Sequence, residues 1–403
     1  MNRKQFLILL VLLVVLGGAG LLLRKNQDIA ANTGEQGAGQ KLLGDKFPIN
    51  DVAHLVIKHG TNELNLVKKD DRWRVRERSD YAANFTQIGD FLLKAAELKV
   101  VQSDEVAASE LARLELTPPG PATNSGILVE LKDKDDKTVK SLTLGKKHVR
   151  KSAQMSQFGD EGFPDGRYLL AGTDTKHALL VSDALLSIEA KPENWIKKDF
   201  FKIERPKAIS VTYAAATNSW KLVRDTETGD WKLADAKAEE KLDATKVSGV
   251  TAPFASPSLN DVALSSAKPA DYGLDQPTTV AVETFDDFAY TVTVGKKVGE
   301  DYALTVAVVA NFPKERTPGK DEKPEDKDKA DKAFKDRQKT LEDKLKEAKN
   351  FEQWIYLVPS WSVDPVLKNR KDLFEEKKDE TKPADPGAPT APGAPVLLPP
   401  PAK

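Results

Sequence analysis

One series of landmarks occurs twice in the same order, and a chain that repeats itself in this way is expected to fold as two like units. A β-rich start at Val52-Ala53-His54-Leu55-Val56-Ile57 returns as Ala208-Ile209-Ser210-Val211-Thr212-Tyr213. A second strand, Leu64-Asn65-Leu66-Val67, returns as Trp220-Lys221-Leu222-Val223, and a tryptophan strand, Asp71-Arg72-Trp73-Arg74-Val75, as Gly229-Asp230-Trp231-Lys232-Leu233. Downstream, Leu114-Glu115-Leu116-Thr117-Pro118-Pro119 matches Tyr272-Gly273-Leu274-Asp275-Gln276-Pro277, and the spacing from tryptophan to leucine is 43 residues in both halves. Ser141-Leu142-Thr143-Leu144-Gly145-Lys146-Lys147 then matches Thr291-Val292-Thr293-Val294-Gly295-Lys296-Lys297. Each half closes on Lys197-Lys198-Asp199-Phe200-Phe201 or Arg370-Lys371-Asp372-Leu373-Phe374.

The periodicity within each half indicates α+β modules. Val280, Val282, Tyr290, Val292 and Val294 alternate with polar residues or threonines, as half-buried antiparallel strands do. Between the tryptophan strand and the Leu-Pro landmark the period changes from 2 to 3.6. Phe85, Ile88, Phe91, Leu92, Ala95 and Leu98 fall on one helical face, with Asn84 placed to cap it. The expected architecture is an N-terminal transmembrane helix followed by two tandem duplicated modules of mainly antiparallel sheet packed by helices. The expected boundaries are an anchor at 1–25, a flexible tether at 26–45, a first module at 46–205, a second at 206–376 and a Pro-rich disordered tail at 377–403.

The anchor rests on Phe6 to Leu23, 18 residues drawn only from Phe, Leu, Ile, Val, Ala and Gly. At about 1.5 Å per residue such a helix reaches roughly 27 Å, enough for a bilayer core and longer than a secretory h-region. Cleavage after Gly18-Ala19-Gly20 would leave Leu21-Leu22-Leu23 at the new terminus, so an uncleaved signal anchor fits better. The α-amino group, Arg3 and Lys4 face Arg24 and Lys25, the latter pair offset by Asp28, which leans towards an N-terminus inside. The expected location is the bacterial inner membrane, with the soluble part in the periplasm.

Composition narrows the chemistry. The 61 basic and 62 acidic residues leave a net charge of −1, so no field draws the chain to nucleic acid. Without cysteine there is no disulfide, thiolate metal site, cysteine nucleophile or lipoprotein acylation site. His54 and His59 are an odd number apart on one strand and so point to opposite faces, against a shared metal. Gly145-Lys146-Lys147 and Gly295-Lys296-Lys297 lack the upstream glycine and the hydroxyl of a phosphate loop and read as strand-end turns with solvated lysines. Asp133, Asp135 and Asp136 lack the glycine and glutamate of a calcium loop and read as a hairpin turn. No catalytic, cofactor-binding or metal residues are singled out, and no cofactor is expected.

Trp73 and Trp231 fit core anchoring better than carbohydrate platforms. The closing landmarks could meet an anionic partner, or could equally be helix-end caps with Phe201 or Phe374 as plug. A charged insertion at 313–350 carries Ala330, Phe334, Leu341, Leu345 and Ala348 as a narrow apolar stripe, either on a solvated helical arm or on a partner-docking helix. In the tail, Pro383, Pro386, Pro389, Pro392 and Pro395 keep the three-residue period of polyproline II.

Taken together, the anchor, the tryptophan strand, Tyr272-Gly273-Leu274-Asp275-Gln276-Pro277, Thr293-Val294-Gly295-Lys296 and Arg370-Lys371-Asp372-Leu373-Phe374 resemble the DUF4340 family of bacterial envelope proteins over most of residues 46–376. Leu114-Glu115-Leu116 departs from the family's Tyr-Gly-Leu in the first half. The resemblance brings no established activity with it and suggests partnership with ABC-type, gliding-related transport systems, to which the anchor, the duplication and the lack of a recognisable catalytic motif are added. The expected function is therefore a non-enzymatic, membrane-anchored binding or scaffold protein accessory to an ABC-type transporter. The alternatives are an envelope polysaccharide-binding module and a hydrolase whose acids converge in the fold.

Overall fold

In the computed structural model the described residues are 38–149, 163–237, 239–318 and 323–375. The expected anchor, most of the tether and the Pro-rich tail lie outside them. Among the described residues no helix is long and apolar enough to cross a membrane.

The fold is α+β, with two antiparallel sheets. The first is built from β1 (His54–His59), β2 (Asn62–Lys69), β3 (Arg72–Val75), β4 (Tyr81–Ala82), β5 (Val100–Glu105), β6 (Ile127–Lys132), β7 (Thr138–Val149), β8 (Pro164–Ala171) and β9 (His177–Val181). Its spatial order is β4-β3-β2-β1-β6-β7-β8-β9-β5. The second is built from β10 (Pro206–Thr212), β11 (Trp220–Val223), β12 (Lys232–Leu233), β13 (Asp261–Val262), β14 (Thr278–Thr284), β15 (Phe288–Val298), β16 (Asp301–Ala310) and β17 (Tyr356–Pro359). Its order is β12-β11-β10-β14-β15-β16-β17-β13, which is the first order strand for strand once β4 is set aside.

Register turns this likeness into residue equivalences. Leu66 pairs with Leu55 and Val75, while Leu222 pairs with Ile209 and Leu233, so Leu55 corresponds to Ile209 and Trp73 to Trp231. The β-rich starts are thereby in phase two residues away from the Val52/Ala208 alignment. That shift preserves which side chains face the core, because the side-chain period of a strand is two. The Lys69-Asp70-Asp71 turn holds Asp70 and Asp71 at φ 48° and 57°, the left-handed pair that a two-residue hairpin requires.

Helix α1 (Phe85–Glu97) covers the core face of the first sheet with Ile88, Phe91, Leu92 and Ala95, and Asn84 Oδ1 accepts from Gln87 N at 3.2 Å as its cap. Phe85, assigned to the buried face from periodicity, stands 69% exposed at the first helical position. A short helix α2 (Ala108–Leu111) precedes the Leu-Pro landmark, and the second module keeps only a short counterpart of α1, α3 (Ala244–Ser248), capped by Asp243.

The charged insertion forms α4 (Pro324–Lys349), and neither sequence expectation describes it fully. Its C-terminal half lies on its own module: Ala348 is buried, and Leu341 and Leu345 pack against the core. Arg337 pairs with Asp286 of that module at 2.8 Å, and Lys344 with Glu204, at the end of the first module, at 2.6 Å. That end of the apolar stripe is used internally rather than offered to a partner.

The closing landmark also needs correction. Ala83 bridges to Ile196 and Leu242 to Phe374, while Asn84 N donates to Trp195 O and Asp243 N to Leu373 O. Trp195 therefore corresponds to Leu373, both fully buried, and the 3-10 turn Pro192–Asn194 corresponds to Arg370–Leu373. Lys197–Phe201 belongs instead to the connection between modules. The Lys-Asp-aromatic string looked like the later one, but backbone hydrogen bonding assigns the equivalence to the residues before it.

This connection fastens the two modules together. Phe200 meets Tyr356 at 4.7 Å and Phe351 at 5.8 Å between ring centroids, and Phe201 meets Phe254 at 5.8 Å. Tyr81 of the first sheet stands edge-on to Trp354 at 4.9 Å. Arg78 grips Asp261 with Nε at 2.6 Å and Nη2 at 2.7 Å, a bidentate, largely buried pair. Most buried apolar residues of both modules share one core, and Leu116, Leu170 and Ala178 form a small separate cluster in the first module.

Candidate functional site

The sheets differ most informatively at paired positions on β7–β8 and β15–β16. Lys147 lies opposite Arg167 in the first sheet, and Lys297 lies opposite Tyr302 in the second, so Arg167 occupies the place of Tyr302. In the second module that place is neutral and closed: Tyr302 OH donates to Asp364 Oδ1 at 2.9 Å, and Lys297 Nζ lies 3.8 Å from the same carboxylate. In the first module the position carries a guanidinium that is only 5% exposed. The loop after β9 offers it carbonyls rather than an acid. Arg167 Nε donates to Gly145 O at 2.8 Å, and Nη1 to Leu185 O at 3.3 Å and Ala184 O at 3.4 Å.

Among the described residues Arg167 has no carboxylate in salt-bridge contact, and no hydrogen-bond partner is found for Nη2. A buried cation in this state is costly unless a counter-charge reaches it. Burial pushes the Arg167 guanidinium down from its ordinary value, and Glu115 partly opposes that shift. The side chain lines a cavity of about 300 Å³ together with Lys147, Lys191, His59, Glu115 and Glu189. Its apolar wall includes Ile127, Leu144, Ile188 and Ala190. Glu189 is engaged by Lys191 at 3.2 Å and by Asn194 at 3.0 Å. Ser125, also on the lining, turns its hydroxyl to Gly120 O at 3.3 Å.

Lys147 reaches the cavity from a landmark whose place in the fold differs from the sequence expectation. Gly145-Lys146-Lys147 and Gly295-Lys296-Lys297 are not strand-end turns. They lie inside β7 and β15, where the ladder shifts register between Leu144 and Lys147 and between Val294 and Lys297. Each glycine admits the Leu-Pro landmark against the strand, and Lys146 N donates to Leu114 O at 2.8 Å. Glu115 takes a left-handed φ of 55° where its counterpart Gly273 has 69°, so the departure from Tyr-Gly-Leu is accommodated within the same backbone shape.

The histidines are scattered. His54 is buried, with Nδ1 2.6 Å from Asp136 Oδ1 and Nε2 2.9 Å from Asn65 Oδ1, while His148 and His177 contact Asp165 and Asp174. Among the described residues no three metal-ligating side chains gather. Trp73 is 7% exposed, in the core, and Trp231 is half-buried with the Arg224 guanidinium 4.7 Å above its ring. A second, more open cavity of about 700 Å³ borders Arg370, but that guanidinium is occupied by Asp235 and Glu240 at 2.8 Å each.

A family model described as Domain of unknown function (DUF4340) matches residues 73–277, about half of the chain. The chain belongs to the DUF4340 family. The match begins at Trp73 and ends at the proline of Tyr272-Gly273-Leu274-Asp275-Gln276-Pro277, so the DUF4340 region contains Arg167, most of its cavity lining and the inter-module connection. No curated protein and no solved structure matches this DUF4340 chain.

Sequence reasoning passed over Arg167. Gly166-Arg167-Tyr168-Leu169-Leu170 is apolar on both faces apart from the arginine, and alternation alone does not reveal which face is the core. In the structure Arg167 shares the strand face of Leu169, which is fully buried.

Proposed function

We propose that this DUF4340 protein is a non-catalytic, single-span envelope protein. Its two fused modules form a binding or scaffolding arm on the periplasmic side of the bacterial inner membrane, serving an ABC-type transport complex. The observation that carries this reading is the inter-module seam. Aromatic rings and a bidentate Arg78–Asp261 pair join two duplicated sheets into one core, and an arm that must hold a fixed geometry between a membrane and a partner needs such a joint. The apolar run from Phe6 to Leu23 supplies the anchor, and the family resemblance supplies the transport association. Burial of Trp73 weighs against a carbohydrate platform there.

The test is crosslinking in intact cells, followed by membrane solubilisation and mass spectrometry, with a variant lacking residues 1–25 as control. Transporter subunits recovered only with the anchored protein are the expected result. Recovery of wall fragments alone would favour polysaccharide binding or hydrolysis instead.

A further inference from the structure

We infer that the cavity between β7, β8 and the loop after β9 binds a small monoanionic carboxylate with a short apolar body, its carboxylate held by Arg167 and Lys147. This goes beyond the scaffold reading and does not depend on it. The first ground is a buried guanidinium without a carboxylate in direct contact among the described residues. Arg167 is 5% exposed, Nε and Nη1 are directed to backbone carbonyls, and Nη2 finds no partner among the described residues. An arginine fork whose second edge meets no described residue at a cavity wall is suited to planar anion recognition.

The second ground is the internal comparison. The same fold, in the other module, fills the position with Tyr302 and neutralises the neighbouring Lys297 with Asp364. Exchanging a satisfied tyrosine for a buried arginine, with no acid of the described residues in its ion-pairing range, is what a site that receives its acid from outside requires. The second module is therefore a built-in control for a sheet that needs no ligand.

Charge and volume narrow the class. Three cations, Arg167, Lys147 and Lys191, face two carboxylates, Glu115 and Glu189, so a single negative charge balances the cavity and a phosphate dianion overcharges it. The volume of about 300 Å³ equals roughly ten liquid waters at about 30 Å³ each, at the small end of ligand cavities. Ile127, Leu144, Ile188 and Ala190 suit an aliphatic body, and Leu144 and Ile188 are each 1% exposed.

The experiment is isothermal titration of the full chain in non-ionic detergent with hexanoate, butyrate, hexan-1-ol and inorganic phosphate. Hexanoate is expected to bind saturably at one site and more tightly than hexan-1-ol or phosphate. Arg167→Gln is expected to weaken hexanoate by at least about tenfold, the worth of a charged hydrogen bond. Because a change at a buried residue can disturb folding, Lys147→Gln at a more exposed position provides the second reading, with affinity lowered severalfold and the unliganded melting temperature unchanged. The inference is overturned if hexan-1-ol matches hexanoate, if phosphate is preferred, if neither variant weakens binding, or if no carboxylate in the series binds.

Discussion

Gly295 lies so close under Tyr272 that a Cβ placed on the glycine would come within 3.0 Å of the tyrosine's carbonyl oxygen. Gly145 stands in the same relation to the carbonyl of Leu114, and its added Cβ would also come to 2.6 Å from Leu116 Cδ2. Backbone pressed on backbone cannot give way as the end of a flexible side chain can. Gly295→Ala and Gly145→Ala are each expected to destabilise by about 1–3 kcal/mol, as overpacking does, measured by urea unfolding of the full chain. Wild-type stability in either variant would mean that the landmark does not seat on its strand.

Glu115 offers the opposite experiment. A left-handed conformation costs an L-residue about 1–2 kcal/mol, while glycine's greater freedom when unfolded costs about 0.5–1 kcal/mol. Glu115→Gly, which restores the glycine of the second module at φ 55°, is expected to raise stability by up to about 1 kcal/mol in the same measurement. A loss of stability would show that the carboxylate makes a contribution larger than the strain.

At the seam, Phe201 is 3% exposed and packs against Phe254 of the second module. Phe201→Ala is expected to cost about 3–5 kcal/mol and to split a single cooperative unfolding transition into two, seen by calorimetry. Asp261→Asn, which weakens the bidentate hold on Arg78, is expected to act in the same direction by about 2 kcal/mol. A single transition retained in both variants would count against the joint as the element that makes one body of two modules.

Acid sensitivity is expected at the second module's closing turn. Hydrogen bonding to Arg370, helped by Lys237 N, holds the Glu240 carboxyl down at about 2, below its ordinary 4.5. A depressed carboxyl contributes stability that is fully present above its unfolded value and is lost as pH falls towards the folded one. Melting temperature should therefore fall between about pH 4.5 and pH 2 more steeply in wild type than in Glu240→Gln, with the two slopes alike above that window. Parallel curves throughout would exclude Glu240 as a contributor.

Much of this architecture can be read from residues that are near one another in the chain. Strand alternation at Val280–Val294, the helix from Asn84 onward and the Asp70-Asp71 turn are local patterns, determined by side-chain period and backbone preference, and the folded chain displays them. The recurrence of whole landmarks also survives in sequence, because two copies of one fold keep the residues that the shared backbone demands, Gly145 and Gly295 above all.

What escaped such reading depends on residues distant in sequence. Lys197–Phe201 imitates the closing string of the second module, yet long-range hydrogen bonds give that role to Trp195 and Ile196 and direct Phe200 and Phe201 into the neighbouring core. The docked half of α4 was indistinguishable from a free arm, since a sparse apolar stripe does not name the surface it meets. Arg167 became visible only when β7, β8 and the loop after β9 closed around it. Period and propensity act over a few residues, whereas burial of a charge and the identity of its counter-ion are properties of the space in which separate strands converge.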